Sequence, residues 1–240
     1  MRKLVISMVV MGAVAGVAQA AWITVADWQF NGDDTTWLKD SANGYDLTNV
    51  GASQGGGGTT AVFGGYVWTN GNTIDLTGYR QVRVSWRMLV SPAQYSVIWE
   101  HGTNTVNSGT LAAFAGSAAP ANHWTAALNA TNCDQLPHAV GTWQTFVAEF
   151  DLDATAAADV VRVWIDSTEQ ADSTAYGIHN LPGAGYSLLD NDMHIGARSG
   201  GAFQFGGEID YLTIEVVPEP GCAVLLLSGG VLAMFRRRKR

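Results

Sequence analysis

Residues 81–90 read Gln-Val-Arg-Val-Ser-Trp-Arg-Met-Leu-Val. Val82, Val84, Trp86, Met88 and Val90 fall on one side of a two-residue period, with Arg83, Ser85 and Arg87 on the other. Successive side chains of an extended chain point to opposite faces, so the alternation specifies a strand with one buried face. The same period returns at 144–152, where Phe146, Ala148, Phe150 and Leu152 share a face. It returns again at 160–166, where Val161, Val163 and Ile165 oppose Arg162, Trp164 and Asp166. Further strands are expected at 21–30, 60–68, 95–100, 123–128, 187–197 and 206–216. Asn31-Gly32, Asn43-Gly44, Asn70-Gly71 and Ser199-Gly200-Gly201 supply turn residues that tolerate positive φ. The glycine run 55–58 is expected to be a flexible loop. The Ala-rich stretch 111–121 has room for a helical turn, limited by Gly116 and Pro120. No long amphipathic helix is present. Many short strands between Gly-rich turns predict an all-β, two-sheet antiparallel sandwich, with Val84, Trp86, Phe146, Phe150, Val163 and Ile165 in its core.

The two ends differ from this pattern. Arg2 and Lys3 precede an apolar run at 4–17 and then Ala18-Gln19-Ala20. That is a positive n-region, an h-region and a small-residue cleavage site, so a signal peptide cut after Ala20 is expected. At the other end, Val217-Pro218-Glu219-Pro220 leads into an uncharged run at 221–235 and then Arg236-Arg237-Arg238-Lys239-Arg240. The run is short beside the roughly 20 residues of a comfortable membrane helix. It spans if the residues around Pro220 sit among the headgroups and the bilayer thins locally. The basic cluster then stays cytoplasmic and the preceding domain lies outside. The chain thus divides into a leader at 1–20, a domain at 21–216 and a tail at 217–240.

Pro218, Glu219 and Pro220, the apolar span and the terminal basic cluster together resemble the PEP-CTERM sorting signal of Gram-negative bacteria. The resemblance implies recognition by an exosortase-type membrane protease, removal of the tail near Pro218–Pro220, and association with the envelope or an extracellular polysaccharide matrix.

Between leader and tail the chain carries 6 Lys+Arg against 20 Asp+Glu, a net charge of −14. Such a surface repels nucleic acid, whose binding needs clustered cations. It is compatible with divalent cations, or simply with solubility. Cys133 is the only cysteine in this region, because Cys222 belongs to the tail. No disulfide can form within the domain, so cohesion must come from a core to which nine tryptophans contribute.

Asp27-Trp28-Gln29-Phe30 with Asp40-Ser41-Ala42-Asn43-Gly44 resembles the opening of LamG-like (laminin G/concanavalin A-like) jelly-roll domains. Val82–Trp86 is similar to their central strand, and Gly141-Thr142-Trp143 followed by Val161-Arg162-Val163-Trp164-Ile165-Asp166 to the pair that comes next. Ile195-Gly196-Ala197 and the segment from Gly207 to Ile214 resemble the closing pair. The resemblance implies that the strand at 21–30 pairs with that at 206–216. Ser167 departs from the pattern, which has a turn glycine there. Ile209, Leu212 and Ile214 should all face the core, and their odd spacing requires a β-bulge near Asp210-Tyr211.

Four groups of residues bear on chemistry. Glu208-Ile209-Asp210 resembles the core of laminarinase-type glycosidases, but Leu212 and Thr213 stand where a third acid is needed. No catalytic residue is therefore assigned, and the protein is not expected to be an enzyme. Asp190 and Asp192, flanking Asn191, offer oxygen ligands for Ca2+, although closely spaced Asx residues also make ordinary turns. The histidines show no paired metal spacing. Trp164, beside Arg162 and opposite the apolar face of its strand, could stack on a sugar ring or pack beneath a loop. These features suggest a secreted, non-catalytic module for carbohydrate binding or matrix adhesion. The alternatives are a structural or protein-interaction module and, third, a glycosidase or lyase on the same fold. Intact-mass analysis of the surface-released protein should show a chain beginning at Ala21 and ending near Pro218–Pro220. Recovery of material still carrying Arg240 would argue against processing.

Overall fold

The computed structural model describes residues 21–218 except 34, 56, 91–94, 103–109, 116–122, 129–131, 138 and 171–186. The expected leader and most of the expected tail, with Glu219 and Pro220, lie outside the described residues. Among the described residues no helix is long and apolar enough to cross a membrane.

Among the described residues the regular structure is almost entirely strand. In order these are β1 (Ile23–Trp28), β2 (Thr48–Gly55), β3 (Thr60–Trp68), β4 (Ile74–Asp75), β5 (Gln81–Val90), β6 (Ser96–His101), β7 (Leu111–Ala115), β8 (His123–Leu128), β9 (Asn132–Pro137), β10 (Trp143–Asp151), β11 (Val161–Ile165), β12 (Thr168–Glu169), β13 (Asp190–Asn191), β14 (Met193–Ile195) and β15 (Gly207–Val217). A 3-10 turn at Ala157–Asp159 is the only helical element among the described residues. All pairings are antiparallel. The main sheet runs β12-β11-β10-β5-β15-β3-β14-β6-β7-β8-β9, with β1 added on β15 and β2 on β3, while β4 and β13 form a separate small ribbon.

Hydrogen bonding is continuous because β15 changes partner along its length. Its later part pairs with β1, Trp28 opposite Leu212 and Ala26 opposite Ile214. Its start pairs instead with β3, Glu208 opposite Val62. The sheet curls here, and its two halves face each other across a layer of rings. Trp86 of β5 meets Trp99 of β6 at 5.6 Å and 78°, Trp124 of β8 at 5.2 Å and 84°, and the neighbouring Phe146 of β10 at 5.6 Å and 15°. Trp124 also meets Phe146 edge-on, and Trp99 meets Phe150. At the far margin β11 approaches β8 and β9.

The sequence alternation becomes register directly. Phe146 lies opposite Trp86, Ala148 opposite Val84 and Phe150 opposite Val82. All six expected core residues are buried. The first and last strands pair as expected. The expected bulge is present too. Ile209 pairs with Met88 and Tyr211 with Arg87, leaving Asp210 as the extra residue. The insertion restores phase, so Ile209, Leu212 and Ile214 are all buried.

Elsewhere the fold differs from expectation. Leu111–Ala115 is a strand buried on both faces, and 116–121, the rest of the stretch with room for a helical turn, lie outside the described residues. Pairing with β6 and β8 on either side overrides the helical preference of alanine. The glycine run is a hydrogen-bonded hairpin: Gly55 ends β2, and the Gly58 N–H donates to the Gly55 carbonyl (2.9 Å). Gly57 and Gly58 take φ of 75° and 90°, which only glycine adopts at little cost. Ser167 does the work of the missing glycine, with φ 67°, next to Asp166 at 49°. The Asp166 carboxylate secures that turn by accepting the Thr145 N–H at 2.9 Å.

Asp40 organises the opening of the chain. Its carboxylate accepts N–H bonds from Asp27, Ala42, Asn43 and Tyr45. Partial burial opposes its ionisation, but these donors outweigh that and hold its pKa below the usual carboxylate value. The loop so fixed brings the Tyr45 carbonyl to the indole N–H of buried Trp28 (2.8 Å).

Trp86 touches both halves of the sheet, so Trp86→Ala removes contacts from both at once. Urea denaturation should show a loss of about 3–5 kcal/mol, whereas Trp164→Ala, on the half-exposed outer face, should cost less than about 1 kcal/mol.

Candidate binding surfaces

Three places gather polar chemistry. The first is the outer face of β11, β10, β5 and β15, built from the alternate positions that the core does not use. Here the structure brings Arg162 and Trp164 together, the guanidinium lying 5.4 Å above the indole. Arg162 donates to Glu149 (2.8 Å), which also binds Arg83, and Arg83 lies 3.7 Å from Glu215. These four residues are direct cross-strand partners, so the charges alternate along one row across four strands. Arg83 covers Trp22 at 4.2 Å and Arg87 covers Trp143 at 5.0 Å, while Arg87 pairs with Asp210 at 2.7 Å. Each of the three half-buried tryptophans thus has one ring face occupied by an arginine. Trp22 and Trp143 were not anticipated. The signal was available in Arg83 and Arg87, which stand on the polar side of β5.

The second place is the end of the fold that holds Asp190 and Asp192. Asp192 accepts hydrogen bonds from the Thr69 hydroxyl (3.0 Å) and the Gly71 N–H (2.7 Å), closing the Asn70-Gly71 turn. Asp190 is exposed, and its backbone pairs with that of Asp75. Among the described residues, no group of three or more His, Cys, Asp or Glu side chains is placed to hold a metal ion. His101 is fully buried nearby. Its Nε2 lies 2.8 Å from the Ile74 carbonyl, which can only accept, so Nε2 carries the proton. Nδ1 is buried without a partner. Burial pushes the His101 pKa down to about 4, against the weaker pull of Asp190, Asp192 and Asp75.

The acids of β15 are also engaged. Glu208 accepts from the Thr60 hydroxyl at 2.8 Å, and the bulge at Asp210 delivers that carboxylate to Arg87.

The third place lies on the outer face of the other half and was not anticipated from sequence. Trp68, His194, Glu100, Ala112 and Ala127 are successive cross-strand partners on β3, β14, β6, β7 and β8. His194 stacks on Trp68 (5.5 Å, 18°). Glu100 is fully buried, and Arg198 reaches it at 3.2 Å. The Arg198 guanidinium lies 5.9 Å from the ring of Phe114 and 5.2 Å from that of Phe203. Tyr95 stacks on Phe114 (5.7 Å, 16°) and meets Phe203 edge to face (5.1 Å, 85°). Tyr95 and Phe203 are 42% and 46% exposed, two large rings forming a right-angled corner open to water. Burial chiefly raises the pKa of the Tyr95 phenol, and the Arg198 charge beside it acts the other way. Phe203 has φ 56°, a left-handed conformation rare for a bulky residue. Its carbonyl accepts the Val97 N–H at 2.8 Å, anchoring the loop to β6. Tyr95 and Phe203 are far apart in sequence, and only β6 and the loop before β15 bring them together.

No protein-family model matches this chain, and no curated protein matches its sequence. Among solved structures it is similar to Trypanosoma rangeli sialidase in complex with 2-keto-3-deoxy-D-glycero-D-galacto-2,3-difluoro-nononic acid, with a TM-score of 0.54, 12% identity, and 80% of this chain and 30% of that chain covered. The same sialidase in complex with sialic acid gives a TM-score of 0.53 and 14% identity over 80% and 30%. Botulinum neurotoxin type C, whose cell entry depends upon interaction with two ganglioside molecules, gives 0.54 and 12% over 86% of this chain and 51% of that chain. The chain therefore spans under a third of the sialidase and about half of the neurotoxin chain. The likeness is one of fold.

His101 gives a pH test. Its pKa in the folded state lies below the ordinary 6.5, so protonation favours the unfolded chain. The stability held above pH 6.5 is withdrawn as the pH falls toward 4, by up to about 3 kcal/mol. Urea titrations at pH 7.0 and 4.5 should show a larger acid loss for the native protein than for His101→Gln, which keeps a donor for Ile74. Equal losses would show that His101 does not titrate in this range.

Proposed function

We propose that residues 21–216 form a non-catalytic carbohydrate-binding module on a LamG-like, two-sheet jelly-roll sandwich. In this proposal the module is exported and held at the envelope or in an extracellular polysaccharide matrix. The observation that carries it is the Tyr95–Phe203 corner. Two exposed rings beside a phenol, a guanidinium and a buried carboxylate combine apolar faces with hydrogen-bonding groups, as a sugar ring does. The strand order, with first and last strands paired and the halves packed face to face, supports the jelly-roll assignment. The structural neighbours, which act on or bind glycosides, agree with it at the level of fold.

Export rests on the residues at the two ends. Ala18 and Ala20 would direct cleavage of the leader. Pro218, Glu219 and Pro220 would present the tail to an exosortase-type enzyme while the apolar span holds the chain in the membrane. Trp164 with Arg162 is a second surface for a glycan, and Asp190 with Asp192 remains the place for calcium.

A structural or protein-interaction role is the alternative, favoured by the outer face of β11, β10, β5 and β15, where every arginine is paired and could register against another protein. A glycosidase or lyase is the third reading. Against it, Glu208 and Asp210 are already committed to Thr60 and Arg87, and Leu212 and Thr213 stand where a third acid is needed, Glu215 lying too far along β15.

A glycan array probed with residues 21–217, with and without calcium, tests the proposal. Binding to a defined set of glycans is expected. Calcium-dependent binding abolished by Asp192→Asn would assign the acidic end, and no binding under either condition would leave the structural role standing.

A further inference from the structure

Resting on the carbohydrate-binding proposal, we infer that the Tyr95–Phe203 corner selects neutral pyranosides and rejects acidic sugars. The argument begins with charge. Arg198 is the cation at the corner, and it is neutralised by Glu100, which is fully buried and has no water to screen it. The remaining face of Arg198 is turned to Phe114 and Phe203. A sugar carboxylate entering the corner would meet a compensated guanidinium and, close behind it, a buried anion. The surrounding domain carries −14, which opposes a polyanion further. A neutral ring meets none of these penalties. Its apolar C–H face can lie on the exposed ring of Phe203 or Tyr95 while its hydroxyls reach the Tyr95 phenol at the rim.

The second observation is conformational. The loop at Arg198–Phe203 holds Phe203 at φ 56° after Gly200 and Gly201, both at 81°. A left-handed backbone strains a bulky residue where glycine adopts it freely. The strain is imposed by anchoring on both sides: Val97 N–H binds the Phe203 carbonyl, and Phe205 N–H binds the Gly196 carbonyl at 2.7 Å. With its backbone fixed, Phe203 presents its ring edge-on to Tyr95 before any ligand arrives. A preset corner loses little freedom on binding, which favours affinity for a rigid ring.

The same strain supplies the test. Phe203→Gly removes the ring and relieves the backbone, so it should fold at least as well as the native chain. Full-length protein would be titrated calorimetrically with a neutral hexose oligosaccharide, taken from the array positives or from cello- and galacto-oligosaccharides, and with an oligogalacturonide. The inference expects neutral binding that exceeds uronate binding, an affinity drop of about tenfold or more in Phe203→Gly, and an unchanged or raised Tm in that variant. Tighter binding of the oligogalacturonide overturns it. So does native-like binding by Phe203→Gly, which leaves carbohydrate binding intact and moves it elsewhere. Failure of the native protein to bind any glycan would overturn the inference together with the proposed function.

Discussion

Trp86 is the contact on which the fold depends. It stands at the centre of β5, is flanked in its own half by Phe146, and reaches across to Trp99 and Trp124 in the other. Such pairs contribute about 0.5–1.5 kcal/mol each beyond the area they bury. The domain has no disulfide to limit the freedom of the unfolded chain, and among the described residues a single 3-10 turn is its only helix. Most contacts are therefore long-range, and the rings of the two halves close the fold. That is the topology of a slow-folding β protein.

The path of β15 makes this closure possible. It runs antiparallel to β5, begins against β3 and carries β1 along its later part, so one strand belongs to both halves. The bulge at Asp210 resets the alternation where the strand changes partner. It keeps Ile209 and Leu212 inside and turns Asp210 outward to Arg87. One inserted residue thus serves curvature, core and surface charge together.

The two outer faces serve different ends. Around Glu149 the arginines are paired by register and cover tryptophans, which makes a stiff surface with little spare chemistry. Opposite lies a row in which buried His194 and Glu100 follow half-buried Trp68, and at its margin the aromatic corner held open by a strained loop. A recognition function belongs more naturally to the second face, where rings are exposed and the backbone is distorted to keep them so.

The sequence by itself determined much of the frame. Period two placed β5, β10 and β11 and named their buried residues. The odd spacing of Ile209 and Leu212 required the bulge, and the paired opening and closing strands were legible in short motifs. These are local properties, set by which side of a strand each residue occupies. The sequence did not disclose β7, whose alanines are held as a strand only by neighbours on both sides, or β2, an edge strand whose pairing comes from backbone bonds rather than side-chain pattern. Arg162 and Trp164 were found because they are neighbours on one strand. The corner of Tyr95, Phe114, Phe203, Arg198 and Glu100 was not, because its members come from distant segments and none follows a periodic rule. Their meeting, and the positive φ that aims Phe203, arise from how the loop before β15 is anchored to β6, and only the tertiary structure decides that.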